Sequence, residues 1–175
     1  MNEYEFTLKF SLPETISHPS TYLEKLWTEG CDDALVGIGL RSRIALNFTR
    51  ESSSAQEAIL SALADVKRAI PKAELVEATP DFVGLTEIAN FLGFTRQNLI
   101  EVMTSSGSAF PAPVHEGKST IWHLFKVLVW LKERKKYSQQ ETLIDIAKAN
   151  MQLNIAKDAY NIEPTFQQKI WSLMT

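Results

Sequence analysis

Leu85-Thr86-Glu87-Ile88-Ala89-Asn90-Phe91-Leu92-Gly93-Phe94-Thr95-Arg96-Gln97-Asn98-Leu99-Ile100-Glu101-Val102-Met103 decides how the rest of the chain is read. Thr86 is a good N-cap, Glu87 suits the positive first turn, and Ile88, Ala89, Phe91 and Leu92 make an apolar face that Gly93 ends. Thr95 caps a second helix, whose Leu99, Ile100, Val102 and Met103 turn inward. Arg96, Gln97 and Asn98 are left outward at its first turn. Two short helices joined by a glycine-containing turn predict a helix-turn-helix. In that motif the start of the second helix enters the major groove, and Arg, Gln and Asn are the side chains that bond bidentately to guanine or adenine edges.

Downstream, Phe110-Pro111-Ala112-Pro113-Val114 and Ser119-Thr120-Ile121-Trp122 flank His115-Glu116-Gly117-Lys118 as a small hairpin, whose polar tip can reach phosphates or the minor groove. A closing helix with Phe125, Val127, Leu128, Val129, Trp130 and Leu131 follows, so the expected unit is a winged helix-turn-helix. Thr95 would orient the recognition helix, Arg96, Gln97 and Asn98 would touch bases and adjacent phosphates, and His115, Lys118, Ser119 and Thr120 would form the wing contact. Charge resists this reading. Residues 81–114 hold Arg96 as their single basic residue against Asp81, Glu87 and Glu101, and phosphate neutralisation dominates affinity. The later run Lys126, Lys132, Arg134, Lys135 and Lys136 is as compatible with a solvated helix end as with a binding patch.

These separated landmarks, Leu85 to Gln97, Phe110-Pro111-x-Pro113, Trp122 and Val127-x-x-Trp130-Leu131, together resemble the excisionase, AlpA-like and MerR-like class of winged-helix DNA-binding domains. With Gly30-Cys31-Asp32-Asp33-Ala34 and the helix from Ala55 to Ile70, the chain is similar to a family of bacterial helix-turn-helix DNA-binding proteins. The resemblance implies DNA binding without naming a promoter. Phe94 stands where a small or polar residue is common, and Phe125-Lys126 replaces a more acidic approach to the closing helix; both bear on fine sequence preference.

The first 80 residues have another grammar. Phe6, Leu8, Phe10 and Leu12 alternate with polar residues as in a half-buried strand, and after Ser17 to Thr21 a helical face of Tyr22, Leu23, Leu26 and Trp27 ends at Gly30. Leu35 to Leu40 and Ile44 to Phe48 read as antiparallel strands about the Arg41-Ser42-Arg43 turn. Behind Ser52-Ser53-Ser54, the stripe of Ala55, Ala58, Ile59, Ala62, Leu63, Val66, Ala69 and Ile70 predicts a helix ended by Pro71, and Glu74 to Ala78 a last strand. The order strand, helix, strand, strand, helix, strand predicts a ferredoxin-like α/β sandwich over residues 1–80, with both helices on one face of four strands. Gly37-x-Gly39 lies within a strand and reads as a packing or bulge feature. Asp32-Asp33 reads as a turn, and Cys31 as a small buried residue.

The expected architecture is therefore α+β: residues 1–80, a winged helix-turn-helix over 81–136, and C-terminal helices over 137–175. In the last segment Leu143, Ile146, Asn150, Leu153, Lys157 and Tyr160 follow a 3-4 spacing within a helix from Gln139 to Tyr160. That stripe either pairs with a second copy, Asn150 fixing the register, or packs on its own chain. After Asn161-Ile162-Glu163-Pro164 a short tail helix carries Phe166, Ile170, Trp171 and Leu173. An apolar tail of this kind needs a partner surface.

Composition limits the function classes. The chain of 175 residues is 45% hydrophobic with a formal charge of -3, divided as -4 over residues 1–80, +2 over 81–137 and -1 over 138–175. No apolar run reaches the ~18 residues that span a bilayer, and the polar start Met1 to Glu5 does not resemble a targeting segment. A cytoplasmic bacterial protein is expected. One cysteine with His18, His115 and His123 matches no zinc spacing, so neither metal nor cofactor is expected. No nucleophile, base and orienting group can be assembled, so a non-enzymatic regulator is the leading expectation: a homodimer on double-stranded DNA, its N-terminal domain free for a protein partner or small ligand. The alternatives are a protein-interaction module such as an antitoxin or adaptor, and an architectural, excisionase-like recombination factor.

Overall fold

Alternating residues build the first strand. In a computed structural model, which describes residues 1–14, 18–39, 42–134 and 141–174, Tyr4, Phe6, Leu8 and Phe10 point from β1 (Asn2–Ser11) into the core while Glu3, Glu5 and Lys9 face outward. α1 (Leu23–Thr28), β2 (Ala34–Ile38), β3 (Arg43–Ser52), α2 (Ala55–Ala69) and β4 (Glu74–Thr79) follow. The strand order is β2-β3-β1-β4, with every neighbouring pair antiparallel. Central β1 and β3 bury Phe6 against Phe48, their rings stacked at 5.2 Å. Each such side chain contributes about 1.5–3 kcal/mol by leaving water. The Ser54 hydroxyl accepts from the Glu57 N–H at 3.2 Å and caps α2, whose Ala58, Ala62, Val66 and Ala69 pack on this core.

The second half begins with β5 (Phe82–Val83) and α3 (Leu85–Phe91), then α4 (Arg96–Ser106), β6 (Trp122–His123) and α5 (Leu124–Glu133). α6 (Glu141–Ala159) and α7 (Pro164–Met174) end the chain. Among the described residues the protein is thus mixed α+β, with one four-stranded antiparallel sheet, one two-stranded sheet and seven α-helices. None of these helices is long and apolar enough to cross a membrane.

α6 is the wall that both halves share. Its Ile146 and Ala149 join the core of the large sheet, while Ile144 and Ala147 join a second core of Val83, Ile88, Leu99, Trp122, Leu128 and Leu131. The stripe expected to pair either with another copy or with its own chain does the latter, because α6 packs on α2, β1, β4 and α5. Asn150 accordingly sets no coiled-coil register; its amide donates to the Pro80 carbonyl at 3.2 Å.

Three local expectations are corrected. Trp27 does not help form the buried face of α1: it is 69% exposed and Leu26 alone is buried there, since a six-residue helix has too few turns to bury a broad stripe. Thr86 is not the cap of α3; Gly84 holds that position, and its N–H donates to the Glu87 carboxylate at 2.8 Å. Residues 110–114 form no wing strand. The small sheet pairs β6 with Phe82–Val83 instead, because Pro111 and Pro113 have no N–H to give a ladder. Ser17, Arg41, Lys135, Lys136 and the expected start of the long helix at Gln139 lie outside the described residues.

Candidate nucleic-acid interface

Helix ends place the candidate residues. α3 stops with Gly93 at φ +65°, a left-handed conformation that glycine adopts at least cost. The Phe94 N–H donates to the Ala89 carbonyl at 2.8 Å and the Gly93 N–H to Asn90 at 3.2 Å, a paired closure that satisfies the last carbonyls of the helix. The chain re-enters helix at once, with the Thr95 hydroxyl accepting from the Asn98 N–H at 3.1 Å. Leu99 is fully buried and anchors α4, while Thr95, Arg96, Gln97 and Asn98 are exposed at its first turn. The Gln97 amide lies 3.4 Å from Glu101, a long contact on the helix surface.

The wing is a loop rather than a hairpin. It is closed by one bridge, in which Ile121 donates to the His115 carbonyl at 3.0 Å and accepts from Val114 at 2.8 Å. Aromatic packing replaces the missing ladder. Phe110 meets the edges of Trp122 at 6.1 Å and Trp130 at 5.1 Å, and the Trp122 indole N–H donates to the Pro111 carbonyl at 3.0 Å. The His115 ring lies over Gly117 so closely that a Cβ there would come within 2.6 Å of Nε2.

Helix and wing meet in an open groove of about 470 Å³ lined by Arg96, Lys118, Ser119 and Thr120 together with Gly84, Thr86 and Glu87. Four of the eight sequence-predicted residues are therefore brought together. Gln97 and Asn98 are exposed on the same helical turn as Arg96, whereas His115 lies at the loop's closure and does not line the groove. No carboxylate among the described residues pairs with Arg96 or Lys118. The later basic run contributes less than its length suggests: Lys132 reaches Glu141 at 3.5 Å, and the Arg134 guanidinium lies over the Trp130 ring at 4.3 Å. Lys126 is exposed.

Sequence reasoning missed the joint that sets this groove against the large sheet. Where β4 runs on to β5, Thr79 and Pro80 are partly buried and Asp81 is fully buried. One Asp81 oxygen meets His123 Nδ1 at 2.7 Å and the other accepts from the Asn154 amide at 2.8 Å. Asn154 also bonds both backbone groups of Ala78, at 2.8 Å each, as a further strand would. Asp81 precedes His123 by 42 residues and Asn154 by 73, so no local spacing announces the cluster.

A second buried network holds the Gly30 to Asp33 turn. Arg50 forks onto Asp33 at 2.7 and 2.9 Å, and its remaining N–H groups reach Asp65 at 2.8 Å, Ser61 at 3.0 Å and the Gly30 carbonyl at 2.7 Å. Arg68 adds a contact to Asp65 and one to the Glu29 carbonyl at 2.9 Å. Burial works against the charged Arg50, but the hydrogen bonds it donates to Asp33 and Asp65 outweigh it and hold the guanidinium above its usual range. Burial, then the charge of Asp65, pushes the Cys31 thiol up to about 12. A thiol held protonated is a poor nucleophile. Among the described residues no cluster of His, Cys, Asp and Glu could hold a metal ion. No protein-family model, curated protein or solved structure matches this chain.

Proposed function

We propose that this chain is a sequence-specific DNA-binding protein, a transcriptional regulator of bacterial type acting as a homodimer. In this reading residues 1–80 are a ferredoxin-like domain and residues 81–136, described to 134, a winged helix-turn-helix. The observation that carries it is the shared groove: Arg96 and Lys118 both line it, with no ion-pair partner among the described residues, beside a first turn that exposes Gln97 and Asn98. Arg96, Gln97 and Asn98 supply base-edge contacts, and Lys118, Ser119 and Thr120 supply phosphate contacts that fix the register. The two cations of the groove, Arg96 and Lys118, give weak binding by counterion release, so a second half-site is required for affinity.

The sparse positive charge also supports a second reading, a module that binds protein and no longer selects DNA. Retention of genomic fragments by purified protein separates the two. The regulator recovers a recurrent two-fold-symmetric site, and Arg96→Ala weakens it by about 1–3 kcal/mol. Unchanged affinity in that variant removes the recognition role from α4, and retention without sequence preference favours the protein-binding reading.

A further inference from the structure

The large sheet ends differently on its two sides. At β4, Asn154 bonds both backbone groups of Ala78, so α6 closes that edge. At β2 no further strand pairs among the described residues. Its run Ala34-Leu35-Val36-Gly37-Ile38 has neither a charge nor a proline, the devices that commonly keep an edge from pairing. Position in the ladder fixes which backbone groups are open. The Thr49 N–H donates to the Asp33 carbonyl at 3.1 Å, and Leu35 and Gly37 lie opposite Asn47 and Ala45. Bonded pairs alternate along an antiparallel ladder, so Leu35 and Gly37 bond to β3 while the N–H and C=O groups of Val36 and Ile38 point away from it. The Ala34 carbonyl points the same way, its N–H being taken by the Cys31 carbonyl at 3.2 Å. We infer that β2 is the self-association strand of this protein and that its occupant is β2 of a second copy, antiparallel about a two-fold axis through Val36.

Hydrogen bonding, side-chain size and charge select that occupant. In this register Val36 exchanges both its bonds with the second copy's Val36, and the Ile38 N–H donates to the second copy's Ala34 carbonyl. Large residues then face small ones, Leu35 opposite Gly37 and Ile38 opposite Ala34. Leu35 is 77% exposed. Beside Gly37 there is room for it, because apart from the chain neighbours an added Cβ would meet nothing nearer than the Ala45 carbonyl at 3.7 Å. Charge sets the direction. Asp32 precedes the strand, and Arg43 lies on β3 beside its far end; both are exposed and without an ion-pair partner among the described residues. An antiparallel pair sets each copy's Asp32 toward the other's Arg43, where a parallel pair would set like charges together. A two-fold interface must be complementary to itself, and this strand meets that condition in all three respects. The requirement for a second copy rests on the DNA-binding reading above, while its location rests on β2 alone.

The test is sedimentation equilibrium of the full chain, oxidative cross-linking, and binding to the genomic DNA fragments it retains. Wild type is expected to form a dimer. Val36→Pro removes an N–H that β3 does not use, so the fold should persist by circular dichroism while self-association weakens at least about tenfold. Val36→Cys in a Cys31→Ala background gives the second readout. A bonded antiparallel pair sets its Cα atoms about 5.5 Å apart, within disulfide reach, so the two copies should link through position 36. Leu60→Cys in the same background, 55% exposed on α2, should not link. A wild-type chain that stays monomeric overturns the inference, even where it selects a DNA site. So does a dimer that fails to link through Val36→Cys or that survives Val36→Pro, because another surface then forms the contact. A dimer linked there and lost with Val36→Pro upholds it even where no DNA site is selected, in which case the regulator reading fails by itself.

Discussion

Asn154→Ala is the most informative single perturbation of the fold, because one carboxamide closes three hydrogen bonds where water has no access. The substitution removes the donor to the Ala78 carbonyl, the acceptor for the Ala78 N–H and the donor to Asp81, all at 2.8 Å. Ala78 and Asp81 are both fully buried. Leaving a buried polar group unsatisfied costs about 1–3 kcal/mol, and more where it is charged. Partial relaxation around the smaller side chain reduces the sum, so the expected loss is about 3–5 kcal/mol, a large part of a typical 5–15 kcal/mol. Urea unfolding followed by tryptophan fluorescence reads it. Trp122 adjoins His123, which Asp81 holds, so the wing signal should shift together with the sheet. Ile155→Ala, one residue on and 50% exposed, serves as the control and should change stability by less than about 0.5 kcal/mol. A loss under about 1 kcal/mol for Asn154→Ala would refute the assignment of this cluster as the joint between the two halves.

Other perturbations test separate parts of the account. Arg50→Met should destabilise by about 3–5 kcal/mol, since it leaves Asp33 and Asp65 together with one cation fewer; a neutral result in urea unfolding would show that the network does not hold the turn. Gly93→Ala forces a Cβ into φ +65° and should cost about 1 kcal/mol, with a matching drop in unfolding midpoint and no steric clash, since nothing lies within 4 Å. The Cys31 thiol sits at about 12 in the folded chain against 9.0 as its ordinary value. A raised value means that the folded state binds the proton more tightly, so this stabilisation is complete below pH 9 and is lost as pH rises from there towards 12. Wild type should therefore lose up to about 1.4 kcal/mol per pH unit more than Cys31→Ala across that window; parallel stability curves would show that burial does not hold the proton on the folded thiol.

Local chemistry was legible and distant chemistry was not. Ser54, Gly93 and Thr95 act at helix ends through bonds spanning a few residues, and the alternation from Phe6 to Leu12 alone settles which face of β1 is buried. The order of the first six elements followed from such signals. The register of the small sheet did not, because Phe82-Val83 is too short to show a period, and the competing segment failed for want of N–H groups at Pro111 and Pro113. The apolar residues of α6 read correctly as a helix face but not as two faces, since Ile146 and Ala149 meet one core and Ile144 and Ala147 another. For the interface, exposure at Arg96, Gln97 and Asn98 followed from the inward position of Leu99. That Lys118 and Arg96 line one groove is a tertiary fact, and the role of Arg134 was masked by counting charges without knowing that Trp130 lies beneath it.

The central claim is that the groove between α4 and the wing reads DNA, and retention from a fragmented pool of genomic DNA at two salt concentrations tests it most directly. The account predicts one recurrent two-fold-symmetric sequence, held by wild type at both salts and lost in Arg96→Ala. Fragments held without preference at low salt, and none at high salt, would contradict it and assign the function of this chain to its protein-binding surfaces.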